Sequence, residues 1–139
     1  MLLRVVLDTN VLVSALIATG KPRDLLAKGI AGDFTLVTSR PLLNELLLVL
    51  RRTKFNMSED EIHKVVSALI QSSELVSTRS EFKVVMKDPS DDIIVITAYD
   101  GQADIIVTGD KQLLTLEKFK RIDIVTVRRM LENLQDKTD

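Results

Sequence analysis

The sequence predicts an α/β fold, a three-layer α/β/α sandwich with a central, mainly parallel sheet. Short apolar runs of strand length alternate along the chain with longer segments whose apolar residues recur at helical spacing. The first run, residues 2–7, is apolar apart from Arg4, as expected of a strand buried on both faces. Aromatic residues make up only 4% of the chain, so we expect an aliphatic core between the layers.

Local signals place the individual elements. Asp8 ends the first strand, and Ser58 with Glu61 has the pattern of a helix capping box. Thr38 or Ser39 is expected to cap a helix that carries Pro41 in its first turn. The expected strands are 2–7, 34–37, 74–76 as a short edge strand, 104–107 and 123–125; the expected helices are 10–18, 23–31, one after the 38–39 cap to about 52, one after 58, 91–100 behind an Asp88-Pro89-Ser90 cap, 112–119 and 127–134.

The totals describe one domain and limit its chemistry. A length of 139 residues without repeats or linkers predicts a single domain over residues 1–139. With 19 basic and 20 acidic residues there is no global positive field, so any nucleic acid has to meet a local patch. The absence of cysteine and the single histidine exclude thiolate chemistry and multi-histidine metal sites. Any metal is therefore expected to be a hard, oxygen-ligated ion such as Mg²⁺ or Mn²⁺.

The apolar runs are too short for a membrane. None approaches the roughly 20 apolar residues of a spanning helix. The first run contains Arg4, ends at Asp8 and lacks a small-residue cleavage pattern, which does not fit a signal peptide. We therefore expect a cytoplasmic protein that does not contact a membrane.

Acidic residues follow two of the expected strands. Asp8 follows the first strand, and Asp110 follows the strand 104–107. Because the carboxyl ends of parallel strands share one edge of the sheet, both carboxylates should lie at the same rim, where ligands of such folds bind. For either residue alone, ordinary turn chemistry or helix capping is the alternative.

Glu45 is harder to explain as a surface residue. Its neighbours three and four positions away on the expected helix are all apolar, and no Arg or Lys lies within one turn. Burial of a carboxylate is costly unless it meets a cation. A salt bridge to a basic residue from elsewhere in the chain is the structural alternative.

Asp91 and Asp92 open an otherwise apolar helix. The helix dipole favours acids in a first turn and would explain one of them. Two adjacent carboxylates at the rim that Asp8 and Asp110 reach are better explained as part of one site. Carboxylates gathered there repel one another, so protons or divalent cations are required to neutralise their charge. Divalent cations held by carboxylates are a common means of phosphodiester hydrolysis.

These residues together resemble the PIN-domain ribonucleases, which include the VapC-like toxins of toxin–antitoxin pairs. The resemblance covers nearly the whole chain. It is carried by Asp8-Thr9-Asn10-Val11 with Ser14, by Glu45 in its apolar helix, by Asp88-Pro89-Ser90-Asp91-Asp92, and by Thr108-Gly109-Asp110-Lys111. The last two segments resemble a branch of PIN proteins with Asp-Pro-x-Asp-Asp and Thr-Gly-Asp signatures.

The resemblance implies a metal-dependent endoribonuclease with a PIN-like fold. Carried over by position, the catalytic and metal-binding residues are Asp8, Glu45, Asp92 and Asp110, holding one or two Mg²⁺ or Mn²⁺ ions. Asp92 is preferred to Asp91 because it stands eighteen residues before Asp110. Asn10, Ser14, Asp91 and Thr108 are the expected supporting residues, and an antitoxin protein that covers the crevice is an expected partner.

Local basic groups are candidates for phosphate contacts. Arg51, Arg52 and Lys54 end the Glu45 helix, and Lys111 follows Asp110. Solvated surface charge is the alternative for each. His63 is expected on the surface.

The helix of Glu45 also predicts an assembly. Residues 42–50 are apolar almost all round, which is typical of a helix that is deeply buried or shared with a second subunit. We therefore expect a homodimer.

Two other function classes remain open. The first is a non-catalytic PIN protein that binds RNA or protein and keeps the acids only as a remnant. The second is a phosphoaspartyl protein, either receiver-like or a phosphatase of the haloacid-dehalogenase type, since those also place Asp after the first strand. The phosphatase pattern has a second Asp two residues on, where this chain has Asn10, and neither phosphoaspartyl class expects Glu45 or Asp92.

Overall fold

The computed structural model describes residues 2–81 and 89–138, without the side chains of residues 53, 89–91 and 136–138. Asp88, part of the expected cap of the helix at 91–100, lies outside the described residues. The strands are β1 (Arg4–Leu7), β2 (Thr35–Ser39), β3 (Ser73–Val76), β4 (Ile105–Val107), β5 (Lys118–Phe119) and β6 (Ile122–Val125). The helices are α1 (Thr9–Ile17), α2 (Lys21–Ile30), α3 (Arg40–Leu50), α4 (Glu59–Gln71), α5 (Pro89–Asp100), α6 (Lys111–Leu116) and α7 (Val127–Thr138), with a 3₁₀ turn at Thr53–Phe55.

The strands form one six-stranded sheet in the order β3-β2-β1-β4-β6-β5. All neighbouring pairs are parallel except β5 and β6, which are antiparallel. The mainly parallel α/β/α architecture expected from the sequence is therefore confirmed. β3 lies at one edge, as the short strand expected at 74–76 should.

The side chains of the central strand alternate between two cores. Val5 and Leu7 of β1 belong to one apolar cluster, with residues of α1, α2, α3, α4 and α7. Val6 belongs to the other cluster, with Ile94 of α5 and Leu113 of α6. Because successive side chains of a strand point to opposite faces, a continuous apolar strand fits a sheet that is covered by helices on both sides.

Two helix starts follow the predicted capping chemistry. The Ser58 hydroxyl accepts from the Glu61 N–H at 3.1 Å, and the Glu61 carboxylate accepts from the Ser58 N–H at 3.1 Å. These hydrogen bonds lower the pKa of Glu61. At the start of α3 the cap is Ser39, the last residue of β2, because its hydroxyl accepts from the Leu42 N–H at 3.4 Å.

One predicted element is wrong in its second half. The helix expected at 112–119 ends at Leu116, and Phe119 belongs to the two-residue strand β5. Glu117 ends the helix with a φ of 60°, and Lys120 has a φ of 55° in the turn between β5 and β6. A strand of two residues is too short to show an alternating pattern, so it could not be predicted from the sequence.

The carboxyl end of α5 is hydrogen-bonded to residues 79 and 80. Asp100 accepts hydrogen bonds from the backbone N–H groups of Arg79 and Ser80 at 2.6 and 2.9 Å, and from the Ser80 hydroxyl. Burial raises the pKa of Asp100, but the hydrogen bonds from Ser80 and Arg79 outweigh it, and the pKa lies below its ordinary value. This contact fixes the chain at the carboxyl end of α5.

Arg4 ties three elements together at the amino end of the sheet. Its guanidinium contacts Glu74 of β3, with Nη1 2.6 Å from Oε2, and donates to the Gly101 carbonyl from Nε and Nη2 at 3.1 and 2.8 Å. The hydrogen bonds to Arg4 lower the pKa of Glu74. Gly101 has no room for a side chain, because a Cβ there would lie 2.8 Å from the Thr97 carbonyl oxygen.

We predict that Arg4→Met lowers the free energy of unfolding by about 1–3 kcal/mol, since charge-assisted hydrogen bonds to Glu74 and Gly101 are lost together. Arg128→Met is the matched control, because its pair with Glu132 is exposed and one helical turn apart, and should cost about 0.5 kcal/mol or less. Urea unfolding of both variants measures the difference, and equal losses would contradict the role assigned to Arg4.

Candidate active site

The site lies where the strand order reverses. From β1 the chain builds β2 and β3 on one side, while β4, β6 and β5 lie on the other. Leu7 of β1 pairs with Val107 of β4, so the residues that follow them, Asp8 and Thr108, leave the sheet at the same level. In open α/β sheets this switch point is the usual position of a ligand crevice.

Asp8 is held in place by its backbone. It is 7% exposed, its N–H donates to the Val107 carbonyl at 2.9 Å, and its own carbonyl accepts from the Leu12 N–H at 2.9 Å. Asp8 stands at the N-cap position of α1, but its side chain makes no capping hydrogen bond. The carboxylate is therefore directed into the site and does not stabilise the helix start.

Thr108 orients the Asp8 carboxylate. Its side chain is fully buried, and its Oγ1 lies 2.6 Å from Asp8 Oδ2. The same Oγ1 accepts the Asp110 N–H at 3.0 Å. A hydroxyl has one proton, and that proton is donated to Asp8.

Asp110 does cap a helix, as the structural alternative proposed. Its Oδ1 accepts from the N–H groups of Gln112 and Leu113 at 2.8 and 3.2 Å, at the start of α6. Both capping bonds use Oδ1, so capping leaves Oδ2 for a ligand. The Thr108 hydroxyl thus bonds both the Asp8 carboxylate and the backbone N–H of Asp110, at the ends of β1 and β4.

Glu45 is part-buried on α3. This helix packs against α1 and α5, and Glu45 Oε2 is shielded from solvent. The side chain lines a groove of about 520 Å³ together with Arg52 of the following turn and Ile93 of α5; its other walls are Pro41, Asn44, Leu48 and Val49. Arg52 is a cation in the same groove, two helical turns from the acid.

Asp92 lies on α5, next to Ile93 of the groove. It is part-buried, and α5 packs against β1, β4 and α3. The side chain of Asp91 lies outside the described residues. The four acids of the expected quartet thus belong to elements that surround one end of the sheet.

The full quartet stays a prediction. Among the side chains that the structure describes, which leave out that of Asp91, no group of three or more His, Cys, Asp or Glu is arranged to hold a metal ion. The described contacts join Asp8 to Asp110 through Thr108, and they place Glu45 and the start of α5 around one groove.

The remaining candidates lie around this rim at different depths. Asn10 and Ser14 are exposed on α1, and Lys111 is exposed at the first position of α6. Arg51 is paired with Glu59 at 3.1 Å, and Lys54 lies over the Phe55 ring, 5.1 Å from its centroid. Arg52 and Lys111 are therefore the better placed of the expected phosphate contacts.

Two further observations bear on the sequence predictions. His63 is exposed, as expected. No helix in the described part of the chain is both long enough and apolar enough to cross a membrane.

We predict that Thr108→Val lowers the free energy of unfolding by about 1–3 kcal/mol, because the substitution keeps the volume but removes a buried hydroxyl that serves Asp8 and Asp110. Thr108→Ser keeps the hydroxyl and should retain most of the stability. Urea unfolding compares the two, and a serine variant as unstable as the valine variant would show that the methyl group matters instead.

Comparisons with known proteins identify the family of the chain. The family model of the PIN domain matches residues 4–112. The uncharacterized protein MJ1680 of Methanocaldococcus jannaschii is 33% identical over 118 residues, which are 82% of this chain and 75% of that protein.

A solved structure has the same fold. A chain in the crystal structure of VapBC2 from Rickettsia felis, bound to a DNA fragment from their promoter, matches with a TM-score of 0.65 at 15% identity. The match covers 89% of this chain and 98% of that chain. The family match spans most of the sequence and includes all four candidate acids, and the chain therefore belongs to the PIN-domain family.

Proposed function

We propose that this protein is a divalent-metal-dependent endoribonuclease. PIN domains are generally nucleases, and the family match covers the site. The observation that carries the proposal is the buried Asp8 carboxylate, fixed by Thr108 at the switch point of the sheet and adjacent to Asp110.

The donor set fits a hard cation. The residues around the rim offer carboxylate oxygens, with no cysteine in the chain and its one histidine exposed on α4. Asp8, Glu45, Asp92 and Asp110 would hold Mg²⁺ or Mn²⁺, which supplies charge neutralisation for the phosphate and activation of water. The family points to a divalent cation. Both Mg²⁺ and Mn²⁺ fit this donor set, because both prefer oxygen ligands.

The chain's own residues position the reactants. Thr108 holds the Asp8 carboxylate in one orientation, and both capping bonds of Asp110 use Oδ1, so capping does not engage its second oxygen. Arg52, which lines the groove with Glu45, and Lys111, which follows Asp110, would contact the RNA phosphates. Such local positive charges are needed because the net charge of −1 provides no general attraction for RNA.

We further propose that the protein acts in the cytoplasm as the toxin of a toxin–antitoxin pair. Support comes from the VapC-like sequence pattern and from the fold shared with a chain of the VapBC2 complex. An antitoxin would inhibit the enzyme by covering the acidic crevice. A neighbouring short reading frame that encodes a DNA-binding domain would support this role.

A homodimer is the proposed assembly. Leu42, Leu46 and Leu50 of α3 are buried, but Leu48 is 69% exposed. An exposed leucine beside the groove of Glu45 and Ile93 is a suitable contact for a second copy.

Cleavage of RNA with and without EDTA tests the enzymatic proposal. We expect Mn²⁺-supported cleavage that EDTA abolishes, and losses of at least about a hundredfold for Asp8→Asn and Glu45→Gln. Asp33→Asn, an exposed acid in the turn before β2, is the control and should keep full activity. Binding of RNA without cleavage, together with no Mn²⁺ binding at millimolar concentration by calorimetry, would support the non-catalytic scaffold instead.

The assembly is tested separately. Leu48→Glu should convert a dimer into a monomer, since it places a charge in the apolar contact. Ile30→Glu is the control, because it makes the same kind of change on α2 at a residue that is 52% exposed, and it should leave the dimer intact. Light scattering after gel filtration measures both. A dimer that survives Leu48→Glu would exclude this surface.

A further inference from the structure

Two buried hydroxyls join the helices that carry Glu45 and Asp92. Ser39, the N-cap of α3, and Thr97, in the middle of α5, are both fully buried. Their Oγ and Oγ1 atoms are 2.6 Å apart. Sequence reasoning identified Ser39 only as a possible cap and missed Thr97, whose sole signal is a hydroxyl within an apolar helix.

The hydrogen bonds of this pair have a single direction. Thr97 Oγ1 donates its proton to the Ile93 carbonyl at 2.8 Å. The proton between the two hydroxyls is therefore that of Ser39, which donates to Thr97. Ser39 Oγ in turn accepts the Leu42 N–H at 3.4 Å.

The chain of bonds thus connects the first turn of α3 to the second turn of α5. Its ends are the Leu42 N–H and the Ile93 carbonyl. Glu45 lies one helical turn after Leu42, and Asp92 directly precedes Ile93. Glu45 and Ile93 also line one groove, so the two helices joined by these hydrogen bonds are the ones that form it.

Helix formation alone does not account for Thr97. A threonine that bonds to the carbonyl four residues earlier slightly destabilises a helix. The neighbours Ile94, Val95 and Ala98 are fully buried and apolar, an environment in which valine would pack as well. The cap of α3 likewise needs only the Ser39 hydroxyl. The contact between the two hydroxyls is the feature that remains to be explained.

We propose that Thr97 is a positioning residue, which acts through Ser39 to fix α3 against α5 and thereby sets the separation of Glu45 and Asp92 for a divalent cation. This inference rests on the proposed function. It assigns a role to a residue that touches neither the cation nor RNA. The tie matters because Glu45 and Asp92 lie on different helices, so the separation of their carboxylates depends on how α3 packs against α5.

The test compares Thr97→Val, which keeps the volume, with Thr97→Ser, which keeps the hydroxyl. We expect Thr97→Val to weaken Mn²⁺ binding by calorimetry about 10–100-fold, as outer-shell substitutions do, and Thr97→Ser to stay within about threefold of the wild type. Thr115→Val removes a similar hydroxyl, which bonds to the Gln112 carbonyl on α6, and should leave Mn²⁺ binding unchanged.

Hydrogen exchange of the metal-free protein provides a second readout. In Thr97→Val the amide of Leu42, which bonds to Ser39 Oγ, and the amide of residue 97 should exchange faster, while the amides of α7 should not change. If Thr97→Val does not fold, the double variant Ser39→Ala with Thr97→Val removes both ends of the contact and leaves no buried hydroxyl without its partner. The double variant should show the same loss of Mn²⁺ affinity.

Three results would overturn the inference. Mn²⁺ affinity of Thr97→Val or the double variant equal to that of the wild type would show that the tie does not position the acids. A Thr97→Ser variant as weak as Thr97→Val would assign the effect to packing of the methyl group. Wild-type protein that neither binds Mn²⁺ nor cleaves RNA would overturn the proposed function itself. This failure can be told apart from the first two, because both of them require that the wild type binds Mn²⁺.

Discussion

The hydrogen bond from Thr108 to Asp8 across the switch point is the interaction on which the site depends. It exists because β1 and β4 are parallel neighbours whose last residues are in register, so that the residues after them meet outside the sheet. The burial of Asp8 and the single proton of Thr108 leave the carboxylate one orientation. The backbone N–H of Asp110 donates to the same Thr108 hydroxyl oxygen, which connects Asp110 to this pair.

The acids of this rim serve the fold and the site at once. Asp110 uses one carboxylate oxygen to cap α6, and Asp8 starts α1 through its backbone while its side chain faces Thr108. A carboxylate has two oxygens, and capping engages only one of them. The structural and the functional interpretations of a strand-end acid are therefore compatible here.

Much of this site was predictable from the sequence, for a physical reason. The period of the apolar residues gives the strands, the strands give the parallel sheet, and the sheet brings Asp8 and Asp110 to one edge. The Ser39–Thr97 contact was not predictable, because it depends on how two helices pack, and a hydroxyl in a buried helix has several possible partners. The same holds for the exposure of Leu48, since a helix that is apolar all round does not show which side the core will take.

What the acids of α3 and α5 contribute is decided by their distance from Asp8. The most direct measurement is a crystal structure grown with Mn²⁺, in which the anomalous signal locates the cation. We expect an anomalous peak within coordination distance of Asp8 and of Glu45 or Asp92. A peak elsewhere, or none at millimolar Mn²⁺, would contradict the metal site on which this account is built.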